Sequence, residues 1–352
     1  MALPHVNVDQ LREERYILGE KTLIGLLENC PKNQTIGDNL VRAWSKINNS
    51  KYEKIVCSLS GGSDSDVMLD ICTKCDKDNK IEYVWFDTGL EYQATKKHLK
   101  YLEEKYDIKI TSYKAIKPIP LTCKKYGQPF LSKQVSENIK RLQAHNFKWE
   151  DKPFEELYSE YPKCKAALLW WCNKKECNSF NIAWNKWLKE FLIEYPPTFQ
   201  ISNICCKYAK KDVMHKLMDE FGYDLNIVGV RKSEGGVRAT AYKSCFDENG
   251  KRKCGTYDNY RPLFWYKNSD KEDYENHYGI VHSRCYTEYG LKRTGCAGCP
   301  FGRDFEQELE VIEKYEQKLF VAVNNIFGDS YEYTRKYKEF CNEMDKKKKR
   351  NK

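Results

Sequence analysis

Residues 54–73 read KIVCSLSGGSDSDVMLDICT. The apolar run Lys54–Leu59 predicts a short buried strand, and Asp66–Thr73 predicts a helix. Between them, Ser60 to Ser65 (SGGSDS) forms a loop of glycines and hydroxyls. Glycine lets the backbone approach phosphate oxygens, and the helix N-terminus adds partial positive charge. The stretch therefore predicts strand, pyrophosphate-binding loop and helix, with a polar helix-capping turn as the alternative.

Further apolar runs extend this unit into a sheet. Ile81–Phe86 predicts a second strand that ends at Asp87-Thr88-Gly89, Gln93–Tyr106 has helical spacing, and Ile108–Tyr113 predicts a third strand. Asp224–Val230 predicts that the sheet resumes much later in the chain. The order β-α-β-α-β indicates an α/β fold with a doubly wound parallel sheet.

The segments around these strands are predicted to be helical. Cysteine- and aromatic-rich helical segments fill the gap between the third and fourth strands, and Lys207–Phe221, Glu306–Phe327 and Tyr331–Lys347 have helical patterns. We therefore predict a helical N-terminal cover at 1–50, a nucleotide-binding α/β domain at 51–117 and 198–302, a helical insertion at 118–197, and C-terminal helices with a basic tail at 303–352.

Composition limits the class of protein. Of the 352 residues, 41% are hydrophobic and 14% aromatic, which excludes a disordered chain. Mean hydropathy is −0.77 and no apolar run could span a bilayer, so no membrane partner is expected. The polar start of the chain does not resemble a signal peptide, which predicts a cytoplasmic, reducing location. There, the 16 cysteines are expected to be metal ligands, reactive thiols or core residues rather than disulfides.

The formal net charge of +9 bears on the choice of partner. The tail Asp345–Lys352 holds six basic residues and one acid, a net +5, which leaves +4 for the rest of the chain. Such a tail is typically a solvated helix end, and a nucleic-acid arm is the alternative. The charge is weak support for nucleic acid as a partner.

Four cysteines have the spacing of a metal site: the adjacent pair Cys205 and Cys206, and the pair Cys296 and Cys299 in CAGC. This spacing suits zinc or an iron-sulfur cluster. Neighbouring side chains diverge, which favours two irons of a cluster over two corners of one zinc tetrahedron. A zinc site and plain, metal-free thiols remain the alternatives.

Other cysteines and lysines are less informative. Cys164, Cys172 and Cys177 could form a second metal site, but buried or free thiols fit their spacing better. Cys57 and Cys72 fall on core positions. Positive charges flank the two cysteine pairs and would offset the charge of thiolates or of a cluster; they are Lys207, Lys210, Lys211, Lys292 and Arg293.

Four motifs together resemble one family. Ser60 to Ser65 resembles the SGGxDS signature of the PP-loop, adenine nucleotide α-hydrolase-like superfamily. Asp87-Thr88-Gly89 with Glu91 resembles the DTGxE turn of the phosphoadenosine phosphosulfate (PAPS) reductase family within it. Gly229–Glu234 followed by Arg238 resembles that family's GxRxxE...R stretch, and Arg261–Trp265 resembles its PLxxW element. The CC...CxxC set is similar to the 4Fe-4S site of assimilatory adenylyl-sulfate reductases and of DNA phosphorothioation enzymes.

The resemblance implies roles for these residues. Ser60, Gly61, Gly62, Ser63, Asp64 and Ser65 would hold the phosphates of ATP, PAPS or adenylyl sulfate, with Mg²⁺. Asp87, Thr88, Gly89 and Glu91 would lie on the nucleoside side. Asp64, Arg231 and Arg238 would be the catalytic groups, and Cys205, Cys206, Cys296 and Cys299 would hold a 4Fe-4S cluster. Forked arginine donors suit phosphate or sulfate; ion pairing with Glu234 is the alternative for both arginines.

The chain also departs from sulfonucleotide reductases, because it lacks their C-terminal ECG(I/L)H segment. Its late thiol, Cys341, reads as an ordinary helix residue. An intact SGGxDS loop is more typical of enzymes that split ATP between its α and β phosphates. The leading hypothesis is therefore an ATP pyrophosphatase and adenylating sulfurtransferase that uses a sulfur donor protein. A PAPS or adenylyl-sulfate reductase with a thioredoxin-like reductant, and a non-catalytic nucleotide- and cluster-binding partner, are the alternatives.

Overall fold

The fold was analysed in a computed structural model, which describes residues 21–174, 181–235, 241–253, 255–302 and 304–350. Their contacts divide into two compact units. Unit 1 comprises Met1–Asp87, Glu91–Lys114 and Asp212–Gly295; unit 2 comprises Thr88–Leu90, Ala115–Lys211 and Cys296–Lys352. The four-part functional division made from the sequence stays a prediction.

The strands belong to unit 1, and they are β1 (Ile55–Leu59), β2 (Ile81–Asp87), β3 (Ile110–Lys114), β4 (Leu225–Val228), β5 (Phe246–Arg252) and β6 (Gly255–Tyr260). The helices of unit 1 are α1 (Leu23–Glu28), α2 (Gln34–Ile47), α3 (Ser63–Cys75), α4 (Gln93–Tyr106), α11 (Asp212–Phe221), α12 (Asn268–Tyr278) and α13 (Arg284–Thr287). Those of unit 2 are α5 (Ile119–Tyr126), α6 (Lys133–Gln143), α7 (Phe154–Glu160), α8 (Lys165–Trp171), α9 (Leu188–Glu194), α10 (Ile204–Cys206), α14 (Phe305–Tyr315) and α15 (Gln317–Arg350).

The six strands form one sheet in the order β3-β2-β1-β4-β6-β5. Strand β1 lies parallel to both of its neighbours, with Ile55 opposite Ile81 of β2 and Leu225 of β4. Only β5 runs antiparallel, beside β6. The predicted α/β class and doubly wound parallel sheet are therefore confirmed.

The direction in which strands are added reverses between β1 and β4. From β1 the chain adds β2 and β3 on one side, whereas β4 and β6 lie on the other. In open α/β sheets the crevice at such a reversal, beyond the carboxyl ends of the strands, receives ligands. The loop Ser60 to Ser65 follows β1, and the stretch Gly229 to Glu234 follows β4, so both segments begin at this edge.

Helix α3 is anchored behind the loop by burial on nearly all sides. Val67, Met68, Leu69 and Ile71 are inaccessible to solvent because α3 lies between the sheet and α2. Burial of each such side chain contributes about 1.5–3 kcal/mol. Cys57 of β1 and Cys72 of α3 are also fully buried, as their predicted core positions require.

Unit 2 has its own aromatic core. The ring centroids of Phe130 and Tyr333 lie 4.9 Å apart, and those of Phe191 and Tyr337 lie 5.2 Å apart. The predicted helical character of the insertion is confirmed by α5 to α9. Among the helices described, none combines the length and apolar composition needed to cross a membrane.

Three segments differ from their predicted secondary structure. The hairpin of β5 and β6 was not predicted. Residues Lys207–Lys211 form a π-helix between α10 and α11, where one α-helix was expected. The C-terminal helices divide at Glu316 rather than near residue 328, and α15 is continuous. At the expected break, α15 is packed against the rest of unit 2: Phe327 and Tyr331 are buried, and the Ser330 hydroxyl donates to the Pro129 carbonyl.

Candidate functional site

The loop after β1 is tightly closed and depends on glycine at position 61. Gly61 has φ +67°, and a Cβ at this residue would lie 2.5 Å from Cγ2 of Thr95. The Ser65 hydroxyl accepts a hydrogen bond of 2.9 Å from the Ser60 amide, and the Ser60 hydroxyl accepts one of 3.3 Å from the Gly62 amide. Ser60, Gly61 and Gly62 thus form a compact turn, while Ser63, Asp64 and Ser65 are the first residues of α3, which begins three residues earlier than predicted.

Two hydroxyls outside the motif form a wall beside this turn. The Ser63 amide donates to the Tyr286 hydroxyl at 3.1 Å, and Tyr286 shares a hydrogen bond of 3.1 Å with Thr294. A Cβ on Gly62 would lie 3.1 Å from both hydroxyl oxygens. A larger residue at position 62 would therefore press against this wall. Sequence reasoning did not identify Tyr286 or Thr294, since neither belongs to a motif.

Asp64 lies between two cations at the start of α3. Its Oδ1 accepts a hydrogen bond of 2.9 Å from Nε of Arg231 and lies 3.3 Å from Nζ of Lys271. Arg231 also donates to Oδ1 of Asn268 at 2.9 Å, and only 8% of this residue is exposed. The guanidinium of Arg231 therefore pairs with Asp64, while Glu234 accepts from the Arg231 backbone amide at 3.3 Å.

Lys271 of α12 is a site residue that the motifs did not reveal. Its Nζ donates to the Ser63 hydroxyl at 2.8 Å and lies 3.0 Å from Oε1 of Glu275. Its side chain is 13% exposed. Lys271 and Arg231 together place two positive charges beside a helix N-terminus, an arrangement that favours anions.

A buried carboxylate continues this polar network behind the loop. Asp66 is 1% exposed; its Oδ1 lies 2.9 Å from Nε2 of His98, and its Oδ2 lies 2.8 Å from Nδ1 of His282. The other nitrogen of His282 lies 2.9 Å from Oε1 of Glu275. Hydrogen bonds and ion pairs thus run from Asp66 through His282, Glu275 and Lys271 to Asp64.

The network fixes the charge of His282. Burial alone would lower the pKa of this imidazole, but hydrogen bonds to Asp66 and Glu275 outweigh burial and raise the pKa to about 9. Burial likewise acts to raise the pKa of Glu275, and hydrogen bonds from His282 and Lys271 reverse this effect and lower it. At neutral pH, His282 is therefore an imidazolium between two carboxylates.

The other predicted nucleotide-binding residues occupy a different stretch. Asp87 is the last residue of β2, the strand beside β1, and Glu91 is buried, 7% exposed. In unit 2, Thr88 is fully buried and Gly89 has φ +85°. The binding roles of these four residues stay predictions. Arg238 lies outside the described residues.

The predicted metal ligands all belong to unit 2. Cys205 and Cys206 lie on α10, and Cys296 and Cys299 lie in the turn before α14. This turn requires glycine, because Gly298 has φ +62° and a Cβ there would lie 2.7 Å from the Tyr331 hydroxyl. The turn is held further by a hydrogen bond of 3.1 Å from the Gly298 amide to Glu308.

The thiols are close enough to affect one another. A hydrogen bond with Cys123 is the largest cause that raises the pKa of Cys205, and a hydrogen bond with Cys205 is the largest cause for Cys206. Burial is the main cause that raises the pKa of Cys299, with added repulsion from Cys296 and Cys206. The structure therefore brings the four predicted cysteines together in one unit.

Cys123 is a fifth thiol beside this group. It is buried on α5, and sequence reasoning missed it because it stands alone in IPLTCKKY. The positive charges of Lys133 and Lys210 each lower the pKa of Cys206. Their effect is smaller than the rise caused by the hydrogen bond with Cys205 and by burial. We call Cys123, Cys205, Cys206, Cys296 and Cys299 the thiol group.

The donor chemistry of the thiol group fits a thiolate-bound metal centre. Neighbouring thiolates repel one another in a buried setting, and bound cationic iron or zinc would relieve this repulsion. Across the described residues, no three or more His, Cys, Asp or Glu side chains are arranged to hold a metal ion. The assignment of Cys205, Cys206, Cys296 and Cys299 as metal ligands therefore stays a prediction.

Cysteines outside the thiol group have ordinary surroundings. Cys341 of α15 donates to the Lys186 carbonyl at 3.4 Å, and burial raises its pKa. Burial also raises the pKa of Cys164 and Cys172, which pack with the aromatic core of unit 2. Cys177 lies outside the described residues. An activated thiolate is therefore not favoured at Cys341, Cys164 or Cys172.

Comparison with known families confirms the resemblance stated from the sequence. Residues 54–167 match the model of the phosphoadenosine phosphosulfate reductase domain. This match includes the loop Ser60 to Ser65 and the turn at Asp87. Among curated proteins, none matches the chain.

Several solved structures are similar at low sequence identity. PAPS reductase from Candida auris, in a phosphate complex, is 12% identical, with 84% of this chain and 97% of that chain covered and a TM-score of 0.40. The U34-tRNA thiolase NcsA from Methanococcus maripaludis, with its [4Fe-4S] cluster, is 13% identical, with 88% and 81% covered and a TM-score of 0.37. FMN adenylyltransferase from Candida glabrata is 10% identical, with 83% and 72% covered and a TM-score of 0.40.

Proposed function

We propose that the protein is an ATP pyrophosphatase that adenylates an acceptor and supports sulfur insertion into it. The main support is Asp64, held between Arg231 and Lys271 at the N-terminus of α3 in an intact SGGxDS loop. A carboxylate is the ligand type that Mg²⁺ prefers, and the two cations suit the phosphates that Mg²⁺ accompanies. This combination fits a nucleotide that is bound through its β and γ phosphates.

The loop residues would bind and orient the leaving pyrophosphate. Ser60 to Ser65 would surround it with amides and hydroxyls, and Arg231 and Lys271 would offset the charge that builds up as it departs. The Asp66 network would hold Lys271 in place through Glu275 and the imidazolium of His282. Asp64 would bind Mg²⁺ together with phosphate oxygens.

The proposed reaction proceeds in two displacements. An acceptor oxygen attacks the α-phosphorus of ATP, its bond to phosphorus forms, and the bond from phosphorus to pyrophosphate breaks. A sulfur donor at the oxidation level of sulfide then attacks the activated carbon, the carbon-oxygen bond breaks, and AMP leaves. Because the donor sulfur is already at the oxidation level of sulfide, the reaction needs no external reductant. Activation matters because an acceptor oxygen alone is a poor leaving group.

Cys205, Cys206, Cys296 and Cys299 are the residues that we propose to hold a 4Fe-4S cluster. Their support is the CC...CxxC spacing and their common location in unit 2. When bound, such a cluster would supply a site that holds sulfur for transfer.

Reduction of PAPS or adenylyl sulfate is the second candidate, favoured by the family match over 54–167. It requires a nucleophilic thiolate that attacks sulfur and a thioredoxin-like reductant that restores the thiol. The raised pKa of Cys341 and the missing reductase segment count against this candidate.

Anaerobic purification followed by product analysis separates the two candidates. We expect pyrophosphate and AMP from ATP once an acceptor and sulfide are present. Sulfite from PAPS with thioredoxin, and no pyrophosphate from ATP, would replace the proposal with the reductase.

A further inference from the structure

The net positive charge of the protein lies in unit 2. Unit 1 contains 31 Lys and Arg and 31 Asp and Glu, whereas unit 2 contains 29 and 20. The net charge of +9 is therefore carried by unit 2. Within it, residues 115–211 hold 17 basic and nine acidic residues, so the basic C-terminal tail is not the main source. Such a segment favours a polyanionic partner.

Part of this charge forms a surface on α5 and the π-helix. The buried side of α5 carries Ile119, Thr122 and Cys123, while Lys124 and Lys125 are exposed. Lys211, at the end of the π-helix, is also exposed. Within the described part of the chain, no carboxylate pairs with these three lysines. Their charges are therefore available to anionic groups.

Two tyrosines on the same elements lie beside Lys117 and Lys125. The rings of Tyr126 and Tyr208 stack with their centroids 5.8 Å apart and 28° between their planes. Nζ of Lys117 donates to the Tyr126 hydroxyl at 3.0 Å and lies 4.5 Å from the Tyr208 ring centroid. Both rings are partly exposed. We call Lys117, Lys124, Lys125, Tyr126, Tyr208 and Lys211 the lysine-tyrosine patch.

The patch shares its structural elements with the thiol group. Helix α5 carries Cys123 on its buried side and ends at Tyr126, and the π-helix with Tyr208 directly follows Cys205 and Cys206. Helix α5 packs against both α10 and the π-helix. A polyanion on the patch would thus lie on the same two segments that carry three of the thiols.

We infer that the lysine-tyrosine patch binds single-stranded nucleic acid and presents it as the sulfur acceptor. Lysines bind the phosphates of a nucleic-acid backbone, and aromatic rings stack with unpaired bases. A polyanion without bases could contact the lysines but could not stack on the rings. The binding inference stands on the patch alone, and the role as acceptor rests on the proposed function.

The test is fluorescence anisotropy on the intact chain with labelled single-stranded DNA and RNA of about 20 nucleotides, with duplex DNA and heparin as separate arms. We expect Lys124→Glu with Lys125→Glu to weaken single-strand binding at least ~10-fold near ~0.1 M salt and to reduce the salt slope by about 1 to 2. The matched control reverses Lys163 and Lys165, two exposed lysines elsewhere in unit 2, and should change affinity less than ~3-fold.

The tyrosines distinguish nucleic acid from polyanions in general. Tyr126→Ala with Tyr208→Ala should weaken oligonucleotide binding about ten-fold and leave heparin binding unchanged, and the corresponding Phe variants should bind like wild type. Four results would each overturn the inference. In the first two, the tyrosine variants lose equal affinity for oligonucleotide and heparin, or both lysine pairs lose equal affinity for oligonucleotide. In the other two, duplex binds more tightly than single strand, or no oligonucleotide binds.

Asp64→Ala separates this inference from the proposed function. We expect this variant to bind oligonucleotide like wild type while pyrophosphate release is lost. Patch-dependent binding in a protein that never releases pyrophosphate would refute the proposed function and leave the binding inference standing. Pyrophosphate release without oligonucleotide binding would refute the inference alone.

Discussion

Nε of Arg231 donates a 2.9 Å hydrogen bond to Oδ1 of Asp64, which joins the segment after β4 to the helix after β1. The two residues lie 167 positions apart in sequence and meet because β1 and β4 are neighbours in the sheet. In the proposed function, this pair would keep a carboxylate for Mg²⁺ and a guanidinium for phosphate in one place.

Gly61→Ala should abolish nucleotide turnover. The new Cβ would lie 2.5 Å from Thr95 Cγ2, so the loop must shift as well as accept a strained φ of +67°. Gly290→Ala is the matched control, because its φ is +70° and a Cβ there meets nothing within 4 Å. Both variants should lose about 1–2 kcal/mol of unfolding free energy from backbone strain. Calorimetric ATP binding should be lost only at Gly61, and equal binding in both variants would contradict the loop's role.

Lys271→Met should reduce pyrophosphate release by about 100-fold, the typical cost of one charge-stabilising donor. The substitution removes the ammonium beside Ser63 and Asp64 but keeps the length of the side chain. Lys216→Met, at an exposed position on α11, is the control and should retain activity. Steady-state rates at saturating ATP measure the effect; a Lys271 variant with wild-type rates would remove this residue from the site.

His282 should titrate near pH 9 rather than near its ordinary value of about 6.5. Because its pKa is raised in the folded state, its stabilising contribution is complete below about pH 6.5 and is lost as pH rises through about 9. NMR of the imidazole should give this pKa, and Glu275→Gln should lower it. In denaturant unfolding, wild type should lose more stability between these pH values than His282→Gln. A His282 pKa near 6.5 would mean that the Asp66 network does not form.

The purified protein should contain about four irons and absorb broadly near ~400 nm. Cys206→Ala and Cys299→Ala should lose the iron, whereas Cys172→Ala and Cys123→Ser should keep it. Cys172 is half-buried outside the thiol group, and Cys123 is a neighbour that we do not assign as a ligand. Iron and zinc analysis after anaerobic preparation checks each variant. Zinc alone in wild type, or loss of iron only in Cys123→Ser, would refute the ligand set.

The central strands and the loop could be predicted because their signals are local. Apolar runs identified β1 to β4, and the glycine loop indicated the start of α3, each within a few residues. The hairpin of β5 and β6 was missed because Phe246–Arg252 and Gly255–Tyr260 are polar strands with little periodicity. The break between the last two helices was expected near Gly328 and lies at Glu316 instead. Packing, rather than the glycine, determines where α15 begins.

The candidate site was only partly predictable for the same reason. Motif residues such as Asp64 and Arg231 were identified, and the structure places them in contact. Lys271, His282 and Cys123 were not identified, because each acts through a partner that is distant in sequence and no motif marks it. Tertiary contacts alone associate such residues with the site.

The most direct test of the account is the measurement of pyrophosphate and AMP from ATP beside sulfite from PAPS, in wild type and in Cys341→Ser. Acceptor oligonucleotide and sulfide are supplied in the first assay, and thioredoxin in the second. We predict pyrophosphate and AMP in both proteins at similar rates, because burial raises the pKa of Cys341 and no thiolate there is needed. Thioredoxin-dependent sulfite release that disappears in Cys341→Ser, with no pyrophosphate from ATP, would contradict the proposed ATP pyrophosphatase function.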